Sequence, residues 1–194
     1  MSKKIIFLGY RKSRTSLISF LRKKKNIVYE FGNKIIKTND VEKADLIISF
    51  GYKHIINQNI LNIVKRPIIN LHISYLPFNR GSHPVFWSFV ENTPKGVSIH
   101  EIDKEIDLGN IIFRKKYIFK KKNLTFQEAY LMLICEIEKL FKKKYNQIIT
   151  KKYRPRKINS LGTFHKDSDL PSSLVSWNIK ISKYVKEYDN RFSK

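Results

Sequence analysis

The feature that most constrains the fold is a series of short apolar runs separated by segments of helical periodicity. Residues 4–8, 27–31, 44–50 and 67–71 each have the length and the β-branched content of a buried strand. Between the first two runs, apolar residues recur at helical spacing. This alternation predicts an α/β domain with a mostly parallel sheet flanked by helices, and places functional groups at the carboxyl ends of the strands.

Three polar residues near these strand ends form the candidate catalytic group. Asn70 and His72 are two residues apart at the end of the fourth run, so their side chains point to the same side of a strand. Asp107 follows His72 by 35 residues, which leaves room for a crossover helix and a further strand over 96–102 whose end can return a carboxylate. An amide and an imidazole can donate to a developing oxyanion, and a carboxylate can accept a proton from an attacking amine. The group therefore suits acyl transfer.

Three linked motifs surround these residues. They are N-x-H-x-S-x-L-P-x-x-R-G at 70–81, G-V-x-I-H at 96–100 and I-D-x-G at 106–109. In this order they resemble the core of the formyltransferase family that uses 10-formyltetrahydrofolate. The resemblance implies a Rossmann-like formyltransferase fold, 10-formyltetrahydrofolate as formyl donor, and catalytic roles for Asn70, His72 and Asp107.

The segment SFGYKHII at 49–56 resembles the pterin-binding segment of the family, in the form found in short amino-sugar formyltransferases. The resemblance implies a folate site made by this segment and by 103–107. Its predicted residues are Tyr52, His54, Ile55, Ile56, Asp103, Ile106 and Asp107.

A second set of residues is predicted to bind the acceptor. These are Ser74, Arg80, Ser82 and Arg11. Arg80 can bind an anion or fold back to tie its own loop, and Arg11 lies in the turn after the first strand, where a solvated turn is the alternative to a phosphate contact. Related enzymes acting on an amino-arabinose nucleotide have an arginine where this chain has Ser82, so the sequence leaves the acceptor open.

The resemblance favours the primary amine of a nucleotide-linked amino sugar as the acceptor. Methionyl-tRNA and glycinamide ribonucleotide are the alternatives. A methionyl-tRNA enzyme is expected to carry a C-terminal domain larger than the residues after 160, and a glycinamide ribonucleotide enzyme to carry more glycine after the first strand than Gly9. Enzymes of this kind are often dimers, so the resemblance also implies a homodimer.

The charge of the chain is strongly positive. There are 39 Lys and Arg residues against 16 Asp and Glu residues, for a formal net charge of +23, and such a field attracts any polyanion. The basic residues are scattered in short runs at 22–25, 120–122, 142–144 and 151–157. We interpret these runs as solvated faces and expect no specific nucleic-acid binding. The alternative of another class is a basic RNA- or anionic-surface-binding module on a formyltransferase fold.

We predict two parts in the chain. Residues 1–158 are expected to form the catalytic domain, and residues 159–194 a C-terminal extension that docks on or near it. The boundary follows the basic stretch 151–159, in which Pro155 interrupts regular structure.

Other residues limit the function further. Cys135, the single cysteine, lies in an apolar helical stretch and is predicted to pack in the core. His100, Glu101 and Asp103 fit no zinc spacing, so we expect no metal, and His100 is expected to be packed or hydrogen-bonded in its strand. No apolar run has the length of a membrane span, so we expect a cytoplasmic protein without membrane insertion.

Overall fold

The computed structural model describes residues 2–192, with side chains described through residue 188. It confirms the α/β architecture. Its elements are β1 (Lys4–Gly9), α1 (Leu17–Lys23), β2 (Ile27–Gly32), α2 (Thr38–Val41), β3 (Leu46–Phe50), α3 (Gln58–Ile63), β4 (Ile69–His72), β5 (Arg80–Gly81), α4 (Pro84–Val90), β6 (Gly96–Glu101), β7 (Ile111–Lys116), α5 (Phe126–Ile149), β8 (Phe164–His165) and α6 (Ile181–Phe192).

Six strands form a mixed sheet in the order β2-β1-β3-β4-β6-β7. The pairs β1–β2, β1–β3 and β3–β4 are parallel, whereas β4–β6 and β6–β7 are antiparallel. Only β6 is reversed within this sheet, so the prediction of a mostly parallel sheet is confirmed. The reversal changes how Asp107 reaches the site, because the end of β6 lies beside the start of β4. The carboxylate is therefore brought back by the loop 102–110 and not by the end of a strand.

Side chains on the two faces of β1 enter two separate cores. Ile5 and Phe7 pack into a cluster with residues of α1, α4 and α5, while Ile6 and Leu8 pack into a second cluster with residues of α2 and α3. This alternation is the two-residue period of a strand. Burying each of these side chains contributes roughly 1.5–3 kcal/mol, so helices on both faces hold β1 and its neighbours in place.

The long helix α5 covers one face of the sheet. The Thr125 hydroxyl accepts from the Glu128 N–H, and the Glu128 carboxylate accepts from the Thr125 N–H, which caps the start of the helix. Ala129, Leu133 and Ile137 form the buried stripe. Cys135 is exposed, so its predicted place in the core was wrong. It lies two residues from Leu133, about 200° around the helix, and so points away from the sheet.

The C-terminal residues lie against the rest of the chain. Arg156 and Ile111 exchange backbone hydrogen bonds at the outer edge of β7, and β8 pairs with β5 in a two-stranded sheet. We call residues 161–165 the strap, because they run across the loop that follows β4. Tyr184 of α6 is buried in the same core as α4 and α5. The division at residue 158 stays a prediction.

Candidate active site

Asn70 and His72 lie on one side of β4. Their neighbours Ile69 and Leu71 are buried in the core on the opposite face of the sheet, as the two-residue spacing predicts. Asn70 is paired in register with Ser49 of β3 on one side and with His100 of β6 on the other. The position of its side-chain amide is therefore set by three neighbouring strands.

Asp107 reaches these residues from the loop between β6 and β7, with a backbone φ of +53°. Its Oδ2 accepts from the Gly81 N–H at 2.8 Å and its Oδ1 accepts from Asn70 Nδ2 at 3.2 Å. Burial raises the pKa of this carboxyl, but the nearby His72 and His100 rings and the Gly81 N–H outweigh burial and hold the pKa well below its usual range. Asp107 is therefore ionised at neutral pH.

The imidazole of His72 is oriented by the backbone. Its Nε2 lies 3.0 Å from the carbonyl oxygen of Asn79, and Nε2 carries a proton because a carbonyl can only accept. Its Nδ1 lies 3.6 Å from Asp107 Oδ2, which is longer than a hydrogen bond. Nδ1 is therefore the ring nitrogen of His72 that can exchange a proton or contact a substrate.

His100 completes the cluster and was not predicted to contact it. The residue is 1% exposed, and its Nδ1 donates to the carbonyl of Glu101 at 2.8 Å, which confirms that it is packed and hydrogen-bonded. Its Nε2 lies 3.1 Å from Asn70 Nδ2 and 3.3 Å from Asp107 Oδ1. A neutral His100 accepts from Asn70, and a protonated His100 donates to Asp107. The histidine of the G-V-x-I-H motif was the available signal, but this contact depends on the antiparallel pairing of β4 and β6.

The segment 49–56 and the start of the loop 102–110 lie over one part of the sheet. Tyr52, Ile56 and Ile102 all pack at the apolar cluster on the α2 and α3 face. Next to them, Ile55 is 76% exposed and Ile106 is 42% exposed. Exposed apolar side chains such as these are suited to covering a flat heteroaromatic ring.

The polar groups predicted for the folate site have protein partners. Tyr52 donates its hydroxyl to the carbonyl of Lys34, and the His54 ring contacts the carbonyl of Asn33, so both tie down the loop after β2. Asp103 is exposed and accepts from the N–H of Lys104. The folate-binding roles of Tyr52, His54 and Asp103 stay predictions.

The predicted acceptor residues have different environments. Arg80 folds back, donating to the carbonyls of Leu161 and Ile106, and the Ser82 N–H donates to the carbonyl of His165.

The remaining two acceptor residues lie apart. Ser74 is 2% exposed, so the structure does not bring its side chain to the surface of the site. Arg11 is exposed, and its guanidinium lies beside Gly32. The substrate contacts of all four residues stay predictions.

Comparison with known proteins agrees with this cluster. The sequence model of the family described as formyl transferase matches residues 10–130, more than half of the chain, and this range contains Asn70, His72 and Asp107. The chain belongs to the formyl transferase family. Within that family, the methionyl-tRNA formyltransferase of Buchnera aphidicola subsp. Acyrthosiphon pisum is 32% identical over 160 residues, which are 79% of this chain and 48% of that protein. The chain thus spans about half the length of the curated relatives it matches.

Solved formyltransferase structures match over most of the chain. The formyltransferase PseJ from Anoxybacillus kamchatkensis, in complex with UDP-4,6-dideoxy-4-formamido-L-AltNAc and tetrahydrofolate, is 37% identical with a TM-score of 0.84. The match covers 93% of this chain and 96% of that one. A 4-N formyltransferase from Francisella tularensis is 26% identical with a TM-score of 0.73, over 86% of this chain and 77% of that one.

The geometry of this formyl transferase site defines what its groups can do. Asn70 and Asp107 are the partly exposed members of the cluster, and Asn70 Nδ2 is the amide donor that a formyl oxygen can reach. Both hydrogens of Nδ2 face protein atoms, on Asp107 and His100, so a formyl oxygen has to replace one of them. Asp107 is an ionised carboxylate 3.6 Å from His72 Nδ1, and its charge stabilises a proton that is taken up there.

A separate cavity of about 1230 Å³ adjoins the outer edge of β7, and Asn70, His72 and Asp107 do not line it. Among residues 2–188, whose side chains the structure describes, no acidic residue lines it. Six basic residues do, namely Arg114, Lys151, Lys152, Arg154, Arg156 and Lys157. This cavity is the observation that favours an anion-binding function as the alternative.

Between residues 2 and 192, no group of three or more His, Cys, Asp or Glu side chains is arranged to hold a metal ion. None of the helices described there combines the length and the apolar character needed to span a membrane.

Proposed function

We propose that this protein transfers the formyl group of 10-formyltetrahydrofolate to the primary amine of a nucleotide-linked amino sugar. The observation that carries the proposal is the convergence of Asn70, His72 and Asp107 in one cluster with an ionised carboxylate. The match to PseJ supports the acceptor class, because that structure contains a UDP-linked formamido sugar and tetrahydrofolate and the two chains align over nearly their whole lengths.

In the proposed reaction the sugar amine attacks the formyl carbon, forming a new C–N bond. Asn70 Nδ2 donates to the oxyanion that develops, and His72 Nδ1 donates to it once it has taken up a proton. The amine proton passes to Asp107, directly or through His72 Nδ1, and then to N10 of the folate as the old C–N bond breaks.

The folate is proposed to lie between 52–56 and 102–107, with Ile55 and Ile106 covering its ring. The side chain of Arg80 ties the strap to the loop 102–110 and so helps to shape the acceptor side. A cytoplasmic location and a homodimer are part of the same proposal, and light scattering of the purified protein tests the dimer.

Release of tetrahydrofolate from 10-formyltetrahydrofolate tests the function. The acceptors to compare are UDP-linked 4-amino sugars, dTDP-linked 3-amino sugars, glycinamide ribonucleotide, initiator methionyl-tRNA and water. We expect one nucleotide-linked amino sugar to be turned over with kcat/KM at least about 100-fold above every other acceptor, since a site built for hydrogen bonds rejects mismatched groups strongly. Preferential turnover of methionyl-tRNA or glycinamide ribonucleotide would contradict the acceptor, and no turnover in any arm would contradict the reaction.

The anion-binding alternative has its own test. If RNA binding through the basic cavity were the function, affinity should show a preference for a sequence or structure and survive moderate salt. We expect only weak binding whose logarithm falls linearly with the logarithm of salt concentration, which is the behaviour of non-specific attraction.

A further inference from the structure

Asn79 is a completely buried polar residue in the loop between β4 and β5, with a backbone φ of +56°. All its polar atoms have partners: its N–H donates to Thr163 Oγ1 at 2.8 Å, its carbonyl accepts from His72 Nε2 at 3.0 Å, its Oδ1 accepts from Thr93 Oγ1 at 2.7 Å and its Nδ2 donates to Glu91 Oε2 at 3.2 Å. A fully satisfied buried polar residue has one orientation, because any other leaves a desolvated group unpaired.

Glu91 links Asn79 to the strap. Its second oxygen, Oε1, accepts from His165 Nε2 at 2.7 Å, and the His165 ring stacks on Trp87 with ring centroids 3.8 Å apart. The strap is also tied by its backbone, since the Ser82 N–H donates to the carbonyl of His165. Asn79 is therefore held from two sides by the strap, through its own N–H and through Glu91.

These contacts decide the state of His72. The Asn79 carbonyl requires a proton on Nε2 of His72, so the neutral ring carries its lone pair on Nδ1. Nδ1 is the nitrogen that faces Asp107 Oδ2, at 3.6 Å. In the other tautomer, the lone pair of Nε2 would face the lone pairs of the Asn79 carbonyl. Nδ1 would then already carry a proton, so the ring could not accept one beside the Asp107 carboxylate.

We propose that Asn79, held by Glu91 and by Thr163 and His165 of the strap, is a positioning residue that selects the Nε2–H tautomer of His72. The strap thereby acts on His72 through Asn79. This inference rests on the proposed function for its kinetic test, and it has a spectroscopic test that does not.

Asn79→Asp tests the link to Glu91, because it replaces an amide donor with a carboxylate oxygen facing Glu91 Oε2. We expect kcat to fall at least about tenfold and the KM for the formyl donor to change less than about threefold, since a binding contact is not touched. Adding Glu91→Gln restores the hydrogen bond with the donor reversed, because the glutamine NH2 group can donate to the new carboxylate at position 79. The glutamine oxygen remains available to accept from His165. We expect the double variant to recover kcat to within about threefold of wild type. Full activity of a folded Asn79→Asp, or no recovery in the double variant, would overturn the proposal.

The tautomer of His72 is read from nitrogen-15 spectra of the ligand-free protein. We expect the wild-type spectrum to show the Nε2–H tautomer. The population of the Nδ1–H tautomer should rise in Asn79→Asp and fall again in the double variant. An Nδ1–H signal in wild type, or an unchanged spectrum in Asn79→Asp, would overturn the inference. This measurement needs no acceptor substrate. It therefore tests the role of Asn79 even if the proposed function is wrong.

Asn26→Asp is the matched control for destabilisation. Asn26 is buried at the start of β2, where its Nδ2 donates to the carbonyl of Leu21 at 2.9 Å and to the Tyr145 hydroxyl at 2.8 Å. We expect this variant to melt earlier with kcat and the His72 spectrum unchanged. An equal loss of kcat in Asn26→Asp would assign the effect to loosening of the whole fold. If Asn79→Asp does not fold, Thr163→Val removes the hydroxyl that accepts from Asn79 without adding charge, and the same tautomer shift is required of it.

Discussion

Replacing Asp107 with asparagine removes a negative charge from the cluster and leaves the side chain nearly the same size. The carboxylate accepts from Asn70 Nδ2 through Oδ1 and from the Gly81 N–H through Oδ2. An amide has only one oxygen, so in either orientation its NH2 group faces one of these donors. Asp107→Asn therefore loses the charge beside His72 and one of the two hydrogen bonds.

The size of the effect follows from these two losses. A buried donor left without a partner costs about 1–3 kcal/mol. Loss of a positioned proton acceptor lowers rates about 10²–10⁴-fold, which is about 3–5 kcal/mol in the barrier. We expect kcat/KM to fall about 10³-fold, with the KM for the formyl donor within about threefold of wild type.

The assay is spectrophotometric release of tetrahydrofolate with the best acceptor, on protein whose thermal unfolding shows that it is folded. Asp45→Asn is the matched control. Asp45 also accepts a hydrogen bond from a backbone N–H, that of Lys4 at 2.8 Å, but it lies at the amino-terminal end of β1, away from the candidate site. It should keep kcat/KM within about twofold of wild type, as expected of a surface site. A folded Asp107→Asn with more than about a tenth of wild-type kcat/KM would refute the proton-acceptor role.

Three further outcomes are expected. Gly81→Ala should lower both the melting temperature and kcat. Gly81 has a φ of +82°, which costs a residue with a side chain about 1–2 kcal/mol, and the new methyl group would collide with the carbonyl of His165. Thr125→Ala should lower the free energy of unfolding by about 1 kcal/mol through loss of the α5 cap, with kcat unchanged. Finally, the folded-state pKa of Asp107 lies below its ordinary value of 3.8, so its stabilisation is present above that pH and is lost as the pH falls. The difference in unfolding free energy between wild type and Asp107→Asn should therefore shrink as the pH falls below 3.8. Equal stability losses at every pH, or an active Gly81→Ala with unchanged melting, would contradict these expectations.

Local sequence patterns predicted the first four strands of the sheet well. The apolar runs at 4–8, 27–31, 44–50 and 67–71 all overlap observed strands, and the helical spacing between the first two runs corresponds to α1. These features depend on residues within a few positions of each other, so the sequence contains the information directly. The exposure of Cys135 shows the limit of composition, since its neighbours are apolar and only its angle on the helix decides its environment.

The candidate site was partly predictable. The spacing of Asn70 and His72 gives a shared strand face without any tertiary knowledge. The motif resemblance was needed to predict that Asp107 joins Asn70 and His72. The separation of 35 residues between His72 and Asp107 allows this arrangement but does not require it. The direction of β6 was not predictable from its apolar pattern, which is the same for parallel and antiparallel pairing. Since that direction places His100 opposite Asn70, the fourth member of the cluster was missed.

The sequence by itself determined the α/β class, the elements, the family motifs and three of the polar residues, because these depend on periodicity and on short spacings. Only the tertiary structure decided which atoms face each other. The roles of the two His72 nitrogens are set by Asp107, which is distant in sequence, and by the carbonyl of Asn79, which lies in an irregular loop. Asn79 is held in turn by Thr163 of the strap. Such contacts depend on loop conformation and strand direction, which arise from packing of the whole domain and leave no local pattern.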